Sequence, residues 1–169
     1  MSKRSAPRSA HAHAHASGQA SIAVTETAQL FQYVETSALL AALLEHDSAA
    51  RNALAAKGVG RRITSALTFS EASRAIVRAT VAGRLSRADE RASLQWLRTF
   101  RRRCAVIAVT DTVLARAGRP FPVEPIRTLD AVHLASAEVL GEPPQLMSIL
   151  TRDTRVIDNA RALGYALES

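Results

Sequence analysis

Five short apolar runs punctuate this chain, and every neighbouring pair is separated by residues that read as helix. The runs lie at about 30–35, 63–65, 104–109, 147–151 and 165–167. Helical patterns cover about 37–45, 48–57, 68–82, 86–102, 111–117, 128–140 and 154–163. Gly58, Gly83, Gly118 and Gly164 stand where four of these helices should stop, a position glycine suits because it tolerates the left-handed backbone there. Ser86 and Asp89 have the spacing of a capping box and open the fourth helix. The loop RPFPVEP at 119–125, with three prolines, cannot be regular. Strands joined through helices cannot pair as hairpins; they run parallel, with both sheet faces covered. The pattern predicts an α/β fold, a parallel sheet of about five strands with helices on both faces.

Length confines this to one domain with room for a core, because 169 residues fall within the ordinary domain range. Residues 1–28 stand apart as an Ala/His/Ser-rich tail with no sustained period, which predicts a disordered extension ahead of a folded domain at 29–169. The HAHAHA repeat at 11–16 offers imidazoles that would hold a metal only loosely. The tail has no apolar segment of the kind a secretory signal needs. No run approaches the roughly 18 apolar residues of a membrane span. One cysteine, Cys104, gives no disulfide framework and no zinc cluster, and it fits a reducing cytoplasm.

Charge narrows the partners. The formal charge is +7, with 20 arginines against 2 lysines and 33 alanines alongside. Arginine and alanine both have GC-rich codons, which offers a genomic source for the bias. A positive balance otherwise favours anionic partners such as nucleic acid. A solvated arginine-rich surface is the alternative.

Against that basic background, four acids fall at element boundaries. Glu35 ends the first strand, in YVETSALL, where Thr36 and Ser37 read as caps of the next helix. Glu71 and Asp130 lie in the first turns of helices, and Asp153 follows MSILT. Each has a local explanation. Thr68 and Glu71 have capping-box spacing, Asp130 complements a helix dipole, and Asp153 can cap the last helix. In a parallel sheet, however, strand C-termini and the following helix N-termini share one edge, where open α/β folds place their sites. Four carboxylates in one cleft repel each other and resist desolvation. A divalent cation such as Mg²⁺ or Mn²⁺ would relieve both, since carboxylate and water oxygens suit those ions. In a basic protein, that chemistry points to phosphodiester hydrolysis. Asp47, Asp89 and Asp111 read as helix starts and Asp158 as helix surface. His133, three residues after Asp130, reads as a general base or as a hydrogen-bonded structural histidine. Ser37 can cap a helix or support a metal-bound water. Arg127 and Arg152 stand beside acids and are candidate phosphate clamps.

Four blocks, YVETSALL, TSALTFSEASRAI, IRTLDAVHLASA and ILTRDTRVIDNARALGY, resemble in order and spacing the signature blocks of PIN-domain ribonucleases, and most nearly the toxins of VapBC-type toxin–antitoxin pairs. The resemblance covers about 30–169. It implies a Rossmann-like sheet, an acidic Mg²⁺ or Mn²⁺ site, endonucleolytic cutting of single-stranded or looped RNA, a cognate antitoxin that occludes the site, and a homodimer. By position, the family's acids match Glu35, Glu71, Asp130 and Asp153, and its small hydroxyl residue matches Ser37. The first block usually carries Asp. Glu35 adds one methylene, about 1.5 Å of reach, to a site where Mg²⁺ demands tight octahedral geometry. That departure motivates a second reading, a PIN-like module that grips RNA or a partner without cutting. A phosphoacceptor regulator would need a lysine beyond a later strand, and the chain has only Lys3 and Lys57.

Overall fold

The first strand sits at the centre of the molecule and the chain winds outward from it twice. A computed structural model describes residues 30–58 and 60–168. Its elements are β1 (Phe31–Val34), α1 (Thr36–Leu44), α2 (Ser48–Ala55), β2 (Arg61–Ser65), α3 (Ala66–Val81), α4 (Arg87–Arg101), β3 (Ala105–Ile107), α5 (Asp111–Ala117), α6 (Thr128–Glu138), β4 (Met147–Leu150), α7 (Thr154–Ala162) and β5 (Ala166–Glu168). A 3₁₀ turn, Pro144–Leu146, leads into β4. The strands form one sheet in the order β3-β2-β1-β4-β5, and every pair is parallel. The α/β reading and its five strands are therefore correct. The chain first moves from β1 toward β3, then crosses back to place β4 on the other side of β1. The switch point lies between β1 and β4, where carboxyl-edge crevices open in such sheets.

Side chains alternate across each strand and divide the core in two. Tyr33, Ile63 and Ile149, in register with each other, face α5, α6 and α7 and join Val113, Val132, Leu134 and Val156 in one buried cluster. Val34 and Leu150 point the other way, onto Ala38, Leu39, Phe69, Ile76, Leu97 and Phe100 of α1, α3 and α4. Both faces are thus covered, as near-continuous apolar strands require.

Some boundaries depart from the sequence pattern. The third strand covers only Ala105–Ile107, and Cys104 precedes it, partly buried with its thiol pushed up to about 11 by burial. The expected Thr68–Glu71 capping box does not form. Ser65, the last residue of β2, caps α3 by accepting from the Leu67 amide at 3.2 Å. The helix therefore starts two residues early; Thr68 is fully buried and accepts from Thr64 Oγ1 at 2.8 Å, and Glu71 falls in the second turn. Thr128 opens α6 without capping it. The Ser86–Asp89 box does form, and Asp47 caps α2. The 1–28 tail with its HAHAHA repeat lies outside the described residues. No described helix is long and apolar enough to cross a membrane.

Candidate active site

β1 delivers Glu35 to the carboxyl edge, and the next residues decide what its side chain does. Neither Thr36 nor Ser37 caps α1. Glu35 does so itself, its Oε2 accepting from the Ser37 amide at 2.9 Å. The same oxygen accepts from the Ser37 hydroxyl and from Thr151 Oγ1, the latter at 2.9 Å. Ser37 Oγ in turn accepts from the Arg152 amide at 2.7 Å, tying the β1–α1 junction to the β4–α7 junction across the switch point. Three donors on one oxygen fix the direction of the side chain. The other oxygen, Oε1, sits 3.7 Å from His133 Nε2.

Glu71 is held just as firmly. Its Oε2 accepts from Thr36 Oγ1 at 2.6 Å and lies 2.8 Å from His133 Nε2. Burial pushes the Glu71 carboxyl up, but the hydrogen bonds from His133 and Thr36 and the charges of His133 and Arg78 outweigh it, leaving it below the usual carboxylate range. His133 is buried, with Nδ1 3.0 Å from the Tyr33 hydroxyl. Burial and then the charge of Glu35 raise the Tyr33 phenol far above its ordinary value, so it stays a donor. The other ring nitrogen, Nε2, faces Glu71. Of the two readings of His133, the geometry matches the hydrogen-bonded structural one. Ligand atoms of Glu35, Glu71 and His133 lie within 4.8 Å of one another. Because both imidazole nitrogens are engaged, the carboxylates are the oxygens open to a cation.

Asp130 and Asp153 complete the wall. A cleft of about 430 Å³ is lined by Glu35, Glu71, Asp130 and Asp153, with Ser37 beside them. All four sequence-selected acids therefore meet in one place. Asp153 also caps α7, its Oδ1 accepting from the Arg155 amide at 2.8 Å. Asp130 Oδ2 is buried with no hydrogen-bond partner. Burial, then the charges of Asp153 and Glu35, push the Asp130 carboxyl above its usual range against the pull of Arg127 and His133. A buried, unpartnered carboxylate oxygen facing two more acids fits a divalent cation, and the all-oxygen donor set suits a hard ion.

The two arginines singled out from sequence do not line this cleft. Arg152 Nε binds Asp47 Oδ2 at 2.9 Å. Thr151 and Asp153 on either side of it turn to the cleft network, while the Arg152 side chain is held by Asp47. Arg127 is exposed beside the start of α6. The cleft is lined instead by Arg74 and Arg78 of α3. Their spacing from Glu71, three and seven residues, was a readable sign that all three share one helix stripe.

This sheet order and acid cluster define an α/β fold with a carboxylate cleft at its switch point, and a family model described as PIN domain matches residues 33–162. The chain belongs to the PIN-domain family. It is 33% identical over 138 residues to Ribonuclease VapC35 of Mycobacterium tuberculosis, a match covering 80% of this chain and 93% of the relative. Ribonuclease VapC46 of the same organism is 37% identical over 106 residues, covering 63% of this chain and 72% of the relative. Among solved structures, VapBC2 from Rickettsia felis, bound to a DNA fragment from its promoter, superposes with a TM-score of 0.57 at 15% identity, covering 82% of this chain and 97% of the other. VapBC-1 from nontypeable Haemophilus influenzae gives 0.52 at 12% identity, covering 82% and 97%. These two likenesses confirm the fold.

Proposed function

We propose that this chain is a metal-dependent endoribonuclease toxin that hydrolyses phosphodiester bonds in single-stranded or looped RNA and is inhibited by a cognate antitoxin. The observation that carries the reading is the convergence of four acids from four separate elements on one cleft, with Asp130 Oδ2 buried and, among the described residues, unpartnered. The name of its relatives, ribonuclease, supports the substrate class. The VapBC complexes among its fold neighbours support a protein partner. A cytoplasmic location and a homodimer belong to the same reading.

Glu35, Asp130 and Asp153, with Glu71, would hold Mg²⁺ or Mn²⁺. When bound, such an ion polarises the phosphoryl oxygen and lowers the pKa of a water. The chain's own residues do the rest. Ser37 and Thr151 aim Glu35 by fixing one of its oxygens. His133 and Thr36 do the same for Glu71, and Tyr33 fixes the imidazole behind it. Attack by a water oxygen on phosphorus breaks the bond to one ribose oxygen, which leaves with a proton. The test is cleavage of RNA with Mg²⁺ or Mn²⁺ by the parent and by Asp130→Asn. Equal cutting by both would sink the site. RNA binding with no detectable metal binding would favour the non-cutting module instead.

A further inference from the structure

α3 divides its surface cleanly. Thr68, Phe69, Ala72, Ala75, Ile76 and Ala79 are buried. Glu71, Arg74 and Arg78 form a stripe that lines the acidic cleft. With about 1.5 Å of rise per residue, Arg74 lies about 4.5 Å and Arg78 about 10.5 Å along the axis from Glu71. Both arginines are exposed. Among the described residues, neither guanidinium has an ion-pair or hydrogen-bond partner, whereas Arg152 is held by Asp47 and Arg62 by backbone carbonyls.

A cleft walled by four acids repels the phosphates of a strand entering it. Something next to the acids must offset that repulsion. We propose that Arg74 and Arg78 form a positioning rail that binds the phosphates flanking the scissile bond, so that single-stranded RNA runs along α3 with its reacting phosphate at the acids. Guanidiniums suit the task because they stay charged and bind phosphate oxygens in a fork. A point-charge lysine keeps the attraction and loses the fork. Leu40 and Leu129 line the same cleft, giving the bases an apolar surface. The rail rests on the ribonuclease reading for its choice of ligand.

The test uses the full chain carrying Asp130→Asn, so that the RNA is not cut. Binding of a labelled, mixed-sequence single-stranded RNA oligonucleotide is followed by fluorescence anisotropy across a salt series. Arg74→Gln and Arg78→Gln should each make the slope of log affinity against log salt shallower by about 0.7, the single-strand value per phosphate contact. Lysine at either position should restore the slope, and Arg161→Gln, at the far end of α7, should leave it unchanged. In the cutting-competent chain the same glutamine variants should raise KM several-fold at constant kcat. Unmoved slopes, or an equal change in Arg161→Gln, would overturn the rail. Unmoved RNA slopes with weakened binding of polyglutamate would reassign the pair to an acidic protein partner. A parent that cannot cut RNA while these slopes move as expected fails the ribonuclease reading alone; a parent that cuts while the slopes stand still fails the rail alone.

Discussion

Two of the hollows among the described residues are nearly equal in size and differ in the charge that lines them. The acidic cleft at the carboxyl edge measures about 430 Å³. The other, about 400 Å³, is lined by α1, α2 and α4, with Leu43, Leu54, Trp96 and Phe100 among its walls. Its Trp96 and Phe100 rings stack at 5.2 Å. Arginines line both, but in the second hollow Arg51 donates to the Ala42 carbonyl at 2.8 Å, and Arg62 donates to Gln32 at 2.9 Å and to the Ala56 carbonyl at 2.9 Å. Those cations staple helix ends. In the cleft, among the described residues, Asp130 Oδ2 has no partner, and Arg74 and Arg78 have none. Neither volume nor a free cation separates the hollows, since Arg103 of the second also lacks a side-chain partner among the described residues; the carboxylates do, because no acid lines the second. The cleft should therefore respond to substitution in activity, and the hollow in stability.

The largest effect expected is at Asp130. Asp130→Asn should lower RNA cleavage by about 10²–10³-fold, the scale for removing one preorganised charge from a reacting centre. Stability should move the other way. The folded Asp130 carboxyl is raised above its ordinary value, so below that ordinary value both states hold the proton and nothing is gained or lost. As pH climbs through it, the unfolded chain gives up its proton first, and the folded state loses stability until its own raised value is passed. In chelator, thermal melts should show Asp130→Asn gaining on the parent as pH rises from the acid side toward neutrality. A constant gap would mean that the carboxyl is not destabilised there.

Glu35 comes next. Glu35→Gln should weaken metal affinity and cleavage by about 10–100-fold, while Glu35→Asp keeps or raises both. Aspartate is a favoured helix cap, so the shorter acid can still take the Ser37 amide. Calorimetric metal binding separates the outcomes, and a glutamine variant that binds and cuts like the parent removes Glu35 from the site. His133 should cost less activity and more fold. His133→Phe leaves Tyr33 and Glu71 without their buried partner, which should lower stability by about 1–3 kcal/mol and cleavage by about tenfold through a loosened Glu71. Denaturant melts and kcat report the two losses. Unchanged stability would mean that the Tyr33–His133–Glu71 chain holds nothing.

How much of this was legible before the structure depends on the range of the interaction. The parallel sheet and the gathering of Glu35, Glu71, Asp130 and Asp153 follow from local patterns plus one topological rule, because parallel strands share one carboxyl edge; the strand order β3-β2-β1-β4-β5 does not follow from them. The Thr68–Glu71 box failed for a local reason: Ser65 caps one turn earlier, and Ala66 and Leu67 are strong helix formers with nothing to delay them. The His133–Glu71 bond spans 62 residues and leaves no spacing signature. Arg152 misled because adjacency to Asp153 in sequence does not say which acid holds it, and that acid is Asp47, 105 residues away. Arg74 and Arg78 were readable at helical spacing from Glu71, but only if α3 is known to turn that stripe into the cleft.

The smallest effect on activity should come from the hollow, and there the comparison is easiest to break. Arg62 stands at the start of β2 and donates to Gln32, which is fully buried in β1, and to carbonyls at the end of α2. Those carbonyls are among the last of the helix, and Ala53 also accepts from the Ala56 amide at 3.4 Å. Arg62→Ala strips a donor from all of them at once. Each lost hydrogen bond is worth about 0.5–1.5 kcal/mol, and the exposed end of α2 recovers part of that from water, so a net loss of about 1–2 kcal/mol is expected. Cleavage per folded molecule should stay at the parent level, because the arginine acts at the amino end of β2 and the acids lie at the carboxyl edge. Active-site titration alongside denaturant melts distinguishes fewer folded molecules from slower ones. If Arg62→Ala slows each folded molecule while leaving the melt untouched, the second hollow is functional, and the carboxylates are no guide to where this protein acts.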